Sequence, residues 1–242
     1  MIKKIITLFK LGRKVAKSDI LLITSKFQKP PLFISILFKI LSFSITSKKQ
    51  IDINKDEGDR LSNSLESMGT TFIKLGQFLA TRPDIIGEDL SKKLENLQDK
   101  LPPFSLTQAK KIICDDLGED TYNAIINLSE PVAAASIAQV HKAQINDNGI
   151  IKDVAIKILR PNIKKIFNEE IDAIMLFAFI VESFIKKTKR LKLIEVVFLL
   201  KEITNLEMDL RFEAAAAAEL YENTKNDIGF KVPKIYWNQT SK

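Results

Sequence analysis

The hydrophobic period of this chain changes once and then changes back, and that switch limits its fold more than any other feature. Before about residue 128 the apolar residues step at helical spacing. Leu61, Leu65, Met68, Phe72, Leu75 and Leu79 recur every three or four positions, which predicts one helix with a single apolar stripe. From Glu130 to Pro161 the runs "IAQVHKAQI" and "IIKDVAIKIL" are β-type, and Asn148-Gly149 between them predicts a hairpin. Helical spacing returns over about 163–187 and 192–223, and "FKVPKIYW" near the end predicts one more strand. The order is that of an α+β chain: helices, a small antiparallel sheet, long helices and a closing strand.

Local signals refine this outline. After Pro102 and Pro103, the stretch from Ser105 to Gln108 is a capping box and predicts a helix through about residue 117. "TRPDIIGEDL" ends the striped helix and opens another over about 87–100. The run "AIMLFAFIV" (173–181) is far shorter than the ~20 residues a bilayer needs, so it predicts a buried helix face.

Charge is distributed unevenly. The net charge is +7, yet residues 1–50 hold eleven Lys/Arg against one acid, Asp19, which makes the basicity an N-terminal property. "MIKKIITLFKLGRKVAK" and "PLFISILFKILSFSI" (31–45) are basic and amphipathic, and predict association with an anionic membrane surface. Packing of both segments on the rest of the protein is the alternative. The first segment lacks a small-residue cleavage site, which favours surface association over export. Only six of the 37 basic residues are Arg and no aromatic residues interleave them, which argues against nucleic acid as a partner. The lone Cys114 excludes a disulfide framework, fits a reducing compartment, and is expected to be a small buried hydrophobe.

Three places carry chemistry. Lys157 ends the strand run Val154-Ala155-Ile156-Lys157, facing a small-residue loop, and such a Lys can bridge nucleotide phosphates when a carboxylate holds it. Alone it is a weak signal, because a surface Lys at a strand end looks the same. Asp209 and Glu213 stand four apart in "NLEMDLRFEAAAAAEL", which predicts two carboxylates on one helix face, tolerated where a cation or metal sits opposite. A solvated charged face, with Glu207 and Arg211 also four apart, explains the spacing equally well. Lys74 and Gln77 flank Gly76 on the face opposite the apolar stripe. A solvated face explains the first two but not the glycine, which points to close approach of a backbone or a ligand. The only histidine, His141, has no second His and no Cys near it in sequence to share a metal, and is expected to make an ordinary strand hydrogen bond.

Taken together these residues resemble the UbiB/ADCK family of atypical kinase-like proteins of ubiquinone biosynthesis. The matching elements are K-x-G-Q at Lys74–Gln77, the alanine-rich "AAASIAQVH", Lys157 in V-A-I-K, and E-x-D at Glu207 and Asp209 with Glu213 beyond. The resemblance implies a protein-kinase-like N-terminal lobe over 129–242, preceded by a helical extension with the KxGQ motif over 51–128 and a basic membrane-proximal region over 1–50. It implies that ATP is the cofactor, that Lys157 meets its phosphates and pairs with Glu213, and that Lys74 and Gln77 reach toward Glu207 and Asp209. The loop Val132, Ala133, Ala134, Ala135, Ser136, Ile137, Ala138, Gln139 and Val140 would cover the nucleotide. Alanines restrict φ where glycines would let backbone N–H groups close on phosphate, so this cover should hold a nucleotide differently.

The resemblance further implies a quinone precursor or lipid as partner, and a cytoplasmic location, peripheral at the inner membrane. Ala216 departs from the family's usual Asn. The catalytic-loop residues and the Mg²⁺ ligands belong to a C-terminal lobe beyond the motifs present. The chain alone is therefore expected to be inactive, with a second chain as one possible source of that lobe. A non-catalytic membrane-associated scaffold or lipid-binding module is the competing expectation.

Overall fold

The computed structural model describes residues 2–17, 56–95, 97, 101–184 and 186–241. The segment "PLFISILFKILSFSI" lies outside the described residues. Two compact units emerge, Met1–Asp99 with Lys165–Lys201, and Lys100–Lys164 with Glu202–Lys242.

The first unit is helical. Its elements are α1 (Ile2–Lys17), α2 (Glu57–Met68), α3 (Thr70–Ala80), α4 (Pro83–Ile86) and α5 (Glu88–Glu95), with most of α8 (Ile163–Phe184) and the first part of α9 (Leu193–Glu207). The single striped helix expected from the sequence is two helices. Gly69 separates α2 from α3 at φ +101, where it accepts the first amide bonds of α3 through its carbonyl. An L-residue at that φ is strained, so the glycine sets the break. The break also rotates the buried face. Leu61, Leu65, Met68 and Phe72 are buried as the stripe requires, but in α3 the burial passes to Thr71, Ile73 and Gly76, leaving Leu75 and Leu79 half-buried. Ser91 ties α5 back to α3 by donating its hydroxyl to the Ala80 carbonyl.

In α8 the run 173–181 is only partly interior. Ala173, Ala178 and Val181 are buried, while Phe177 and Phe179 are exposed. Lys201 and Asp172 join α9 to α8 at 2.9 Å.

The second unit holds the sheet. α6 (Leu106–Leu117) starts on Ser105, whose Oγ accepts from the Gln108 N–H at 3.3 Å, the N-cap the sequence predicts. Cys114 on this helix is half-buried rather than buried. The short α7 (Glu119–Asn123) follows, then β1 (Ile125–Ile126), β2 (Pro131–Ala134), β3 (Ala138–Asp147) and β4 (Ile150–Leu159). β3 is the centre. It pairs with β4 along its whole length, Ala138 opposite Leu159 through Asp147 opposite Ile150, and β1 and β2 share its other edge. Asn148 and Gly149 both take positive φ (55 and 84), the geometry of a two-residue hairpin turn matched to strand twist.

Alternation gives the sheet two faces. Ile156 and Ile158 pack against Ala109 and Ile113 of α6, with Phe104, Leu117 and Tyr122 at the rim. Each fully buried Ile in such a cluster contributes roughly 1.5–3 kcal/mol. Ala155 and Lys157 therefore face the other way, and both are exposed.

Two further expectations fail here. The long helix expected over 192–223 is two, α9 and α10 (Leu210–Thr224), with Asp209 in an extended N-cap conformation between them. The closing segment 230–236 is not a strand. Pro233 offers no N–H to a ladder, and the segment is held instead by side chains at the hairpin tip. Lys234 and Tyr236 reach Asp147 at 3.6 and 3.5 Å. Asp147, bonded first of all by Lys152 at 2.7 Å, has its carboxyl held below the usual range.

Candidate functional site

Lys157 stands on the face of β4 that α6 leaves open, and α10 brings Glu213 to it. The ammonium donates to Glu213 Oε2 at 2.5 Å, with side chains 37% and 59% exposed. Glu213 lies in the first turn of α10, where the helix dipole favours a carboxylate. An ion pair this open adds at most about 1 kcal/mol to stability. Its geometry matters more: a cation fixed near a strand end by one carboxylate and reachable from solvent.

Register places other residues on the same face. Val140 is opposite Lys157 and Ala133 is opposite Val140, while Ala155 is opposite Lys142. This face therefore offers small or apolar side chains beside Lys157, with Lys142 exposed further along it. The stretch expected as a cover is a strand end, a tight turn and a second strand. Ala135 N–H donates to Ala138 O at 2.8 Å, and none of Val132–Val140 takes a positive φ. Ser136, Ile137, Ala138 and Gln139 are buried, so Val132–Ala135 and Val140 supply its accessible side chains. The turn thus closes without glycine, by hydrogen bonds alone.

Asp209 and Glu213 do not share a helix face. Asp209 precedes the helix, accepting from the Arg211 N–H at 3.2 Å and from the Arg211 guanidinium at 2.9 Å (Nε) and 2.7 Å (Nη2). That carboxylate holds the Arg211 guanidinium yet further toward its charged form. The sequence signal was available, since Asp is among the strongest N-cap residues. No carboxylate repulsion needs relieving here: one acid caps and pairs with Arg211, the other meets Lys157. Glu207 is the last residue of α9 and exposed.

In the first unit Lys74 and Gln77 are half-buried on α3. The glycine between them has a packing explanation that sequence reasoning did not supply. A Cβ on Gly76 would stand 2.8 Å from Leu65 Cδ1 and 3.0 Å from Leu97 Cδ2, so the neighbour that approaches is a pair of leucine methyls. His141 is fully buried and hydrogen-bonded on both ring nitrogens, as expected of a strand residue. Arg160 was not singled out in the sequence. It follows β4 directly before Pro161, with no motif to mark it, yet its guanidinium holds the Ala135 carbonyl from Nε at 2.9 Å.

A small antiparallel sheet whose strand lysine pairs with a helix glutamate, backed by a helix on the opposite face, is a protein-kinase-like N-terminal lobe. The chain belongs to the ABC1 atypical kinase-like domain family, whose domain matches residues 96–242. Among curated relatives it is 39% identical to the probable protein kinase UbiB of Marinobacter nauticus, over 76% of this chain and 34% of that protein. It is 37% identical to the protein of the same description from Azotobacter vinelandii, over 74% of this chain and 33% of the relative. For the one from Pseudomonas fluorescens the figures are 32% identity, 86% and 38%. The chain thus spans about a third of the length of the curated relatives it matches.

Proposed function

We propose that this chain supplies the nucleotide-binding lobe of a UbiB-type atypical kinase or ATPase acting in ubiquinone biosynthesis. The observation that carries the reading is the Lys157–Glu213 pair on the open face of the sheet. Bound ATP brings a transferable phosphoryl group. In this reading Lys157 attracts its phosphate oxygens, Glu213 keeps the ammonium aimed at that face, the turn Ala135–Ile137 bounds it, and Val140 with Ala155 offers apolar contact to the base. Among the described residues no group of three or more His, Cys, Asp or Glu gathers as a metal site. Mg²⁺ and the group that positions the nucleophile would come from a C-terminal lobe, on a second chain if need be.

Titration of the full chain with a fluorescent ATP analogue tests this. Lys157→Ala and Glu213→Gln should each weaken binding about tenfold or more, a cost of ~1.4 kcal/mol, while stability falls by no more than about 1 kcal/mol. Affinities equal to wild type would sink the reading. Lys74→Ala and Gln77→Ala in the same titration test the KxGQ motif.

A second reading, a membrane-associated scaffold, has its own support in α1. Leu11 is buried and Lys14 pairs with Glu170 at 3.0 Å, while Ile6 and Phe9 are exposed beside Lys10. That outward face suits an anionic lipid surface, with a quinone precursor or other lipid nearby. No helix among the described residues is long and apolar enough to cross a membrane. Phe9→Glu should abolish flotation with anionic vesicles and spare nucleotide binding. Unchanged flotation rejects the lipid contact, and flotation without any nucleotide binding favours the scaffold.

A further inference from the structure

The strap Leu101–Phe104 in front of α6 contains Pro102 and Pro103, neither of which can donate a backbone hydrogen bond. Side chains from the sheet hold it instead. Arg160 Nη1 donates to Pro102 O at 2.9 Å and Nη2 to Leu101 O at 3.2 Å. The same guanidinium donates to Ala135 O from Nε at 2.9 Å and from Nη2 at 2.8 Å, and the Arg160 N–H donates to Ile137 O at 2.9 Å. One planar fork therefore joins the strap to the alanine turn.

Gln139 grips the strap from the other side. Its Oε1 accepts from the Phe104 N–H at 2.9 Å and its Nε2 donates to Phe104 O at 3.1 Å. Gln139 Nε2 is also 2.9 Å from His141 Nε2, and His141 Nδ1 is 2.8 Å from Ser129 O. A carbonyl only accepts, so the proton sits on Nδ1 and Nε2 accepts the second amide N–H of Gln139. That acceptance fixes which way the amide points. Both side chains are essentially fully buried, at 1% and 0% exposure. Buried polar groups so placed specify one arrangement, because any other leaves a donor or acceptor unmet.

We propose that Arg160, with Gln139 and His141 behind it, is the positioning set for the alanine turn. The Arg160 guanidinium holds the Ala135 carbonyl from outside the turn, so the turn's distance from the Lys157 face follows how the strap is attached. The strap begins where the chain passes in sequence from the first unit to the second. Detachment there is transmitted to the turn through the guanidinium. This inference rests on the nucleotide reading given above, and it assigns regulation of that same face to residues that need not touch the ligand.

The test uses the full chain, wild type and three variants, with N-methylanthraniloyl-ATP as probe and amide hydrogen exchange as a second readout. Arg160→Lys keeps the charge and loses the fork. Gln139→Glu still accepts from Phe104 but has nothing to donate to Phe104 O or His141. Ile113→Val loosens the core under α6 without touching the set, and controls for general loss of stability. Arg160→Lys and Gln139→Glu should each weaken probe binding about tenfold and speed exchange of the Ala135 amide by a similar factor, while Ile113→Val leaves both within about twofold. Binding within about twofold of wild type in both set variants overturns the proposal, as does an equal loss in Ile113→Val. A wild-type chain that ignores the probe overturns the nucleotide reading instead. Exchange at Ala135 then decides the coupling alone: faster in Gln139→Glu upholds it, unchanged defeats it.

Discussion

In the first unit a glycine stands in the middle of a helix because two leucines lean into the place of its Cβ. In the second, the turn where a phosphate-binding loop customarily carries glycine has alanines and a serine, and closes with no positive φ. Gly76 answers a demand of packing, not of conformational freedom. The alanine turn answers a demand for position, and long-range hydrogen bonds meet it where local backbone flexibility does not. A glycine beside polar residues is therefore poor evidence for a ligand, and a glycine-free turn is poor evidence against one.

Substitutions can break this contrast, and the largest effect belongs to the packed glycine. Gly76→Val places branched carbon against Leu65 and Leu97 and should cost about 2–3 kcal/mol by chemical denaturation. Gly76→Ala should move stability by less than about 1 kcal/mol, because the methyls in the way are ends of flexible side chains and alanine is the better helix former. A severe Gly76→Ala phenotype would mean that the glycine serves something other than leucine packing.

Next comes Gly69, which has open space around its Cβ position and φ +101. Gly69→Ala should cost about 1–2 kcal/mol from backbone strain alone. Stabilisation on that change would mean that α2 and α3 prefer to run on as one helix. The smallest stability effect belongs to the turn. Ala134→Gly should lower stability by about 0.5–1 kcal/mol through chain entropy, while altering ATP and ADP affinities measurably. Affinities indistinguishable from wild type would remove the turn from the nucleotide site.

Legibility followed the range of each interaction. The Ser105 cap, the Asn148-Gly149 hairpin and the two-faced strands were visible because each depends on residues a few positions apart. The Lys157–Glu213 pair was expected from motif order, since nothing local ties residues 56 apart. The break at Gly69 was hidden because the apolar spacing runs through it without a missed step. Likewise the N-cap role of Asp209 is masked in the sequence because Glu207, Arg211 and Glu213 around it keep helical spacing. Around Val232 the β-type run points to a strand, but Pro233 within it removes a ladder donor. Arg160 was illegible for a different reason. The carbonyls it holds come from two segments that only the fold brings together, and a lone Arg at a strand end carries no sign of them.

The imidazole at position 141 is the only one in the chain, sealed from solvent with its tautomer set by a carbonyl on one side and an amide on the other. Its ring proton should give one isolated, slowly exchanging magnetic-resonance line, free of overlap from any sibling. A single spectrum could then report whether the central strand keeps its native neighbours, without isotope labelling of the rest of the protein.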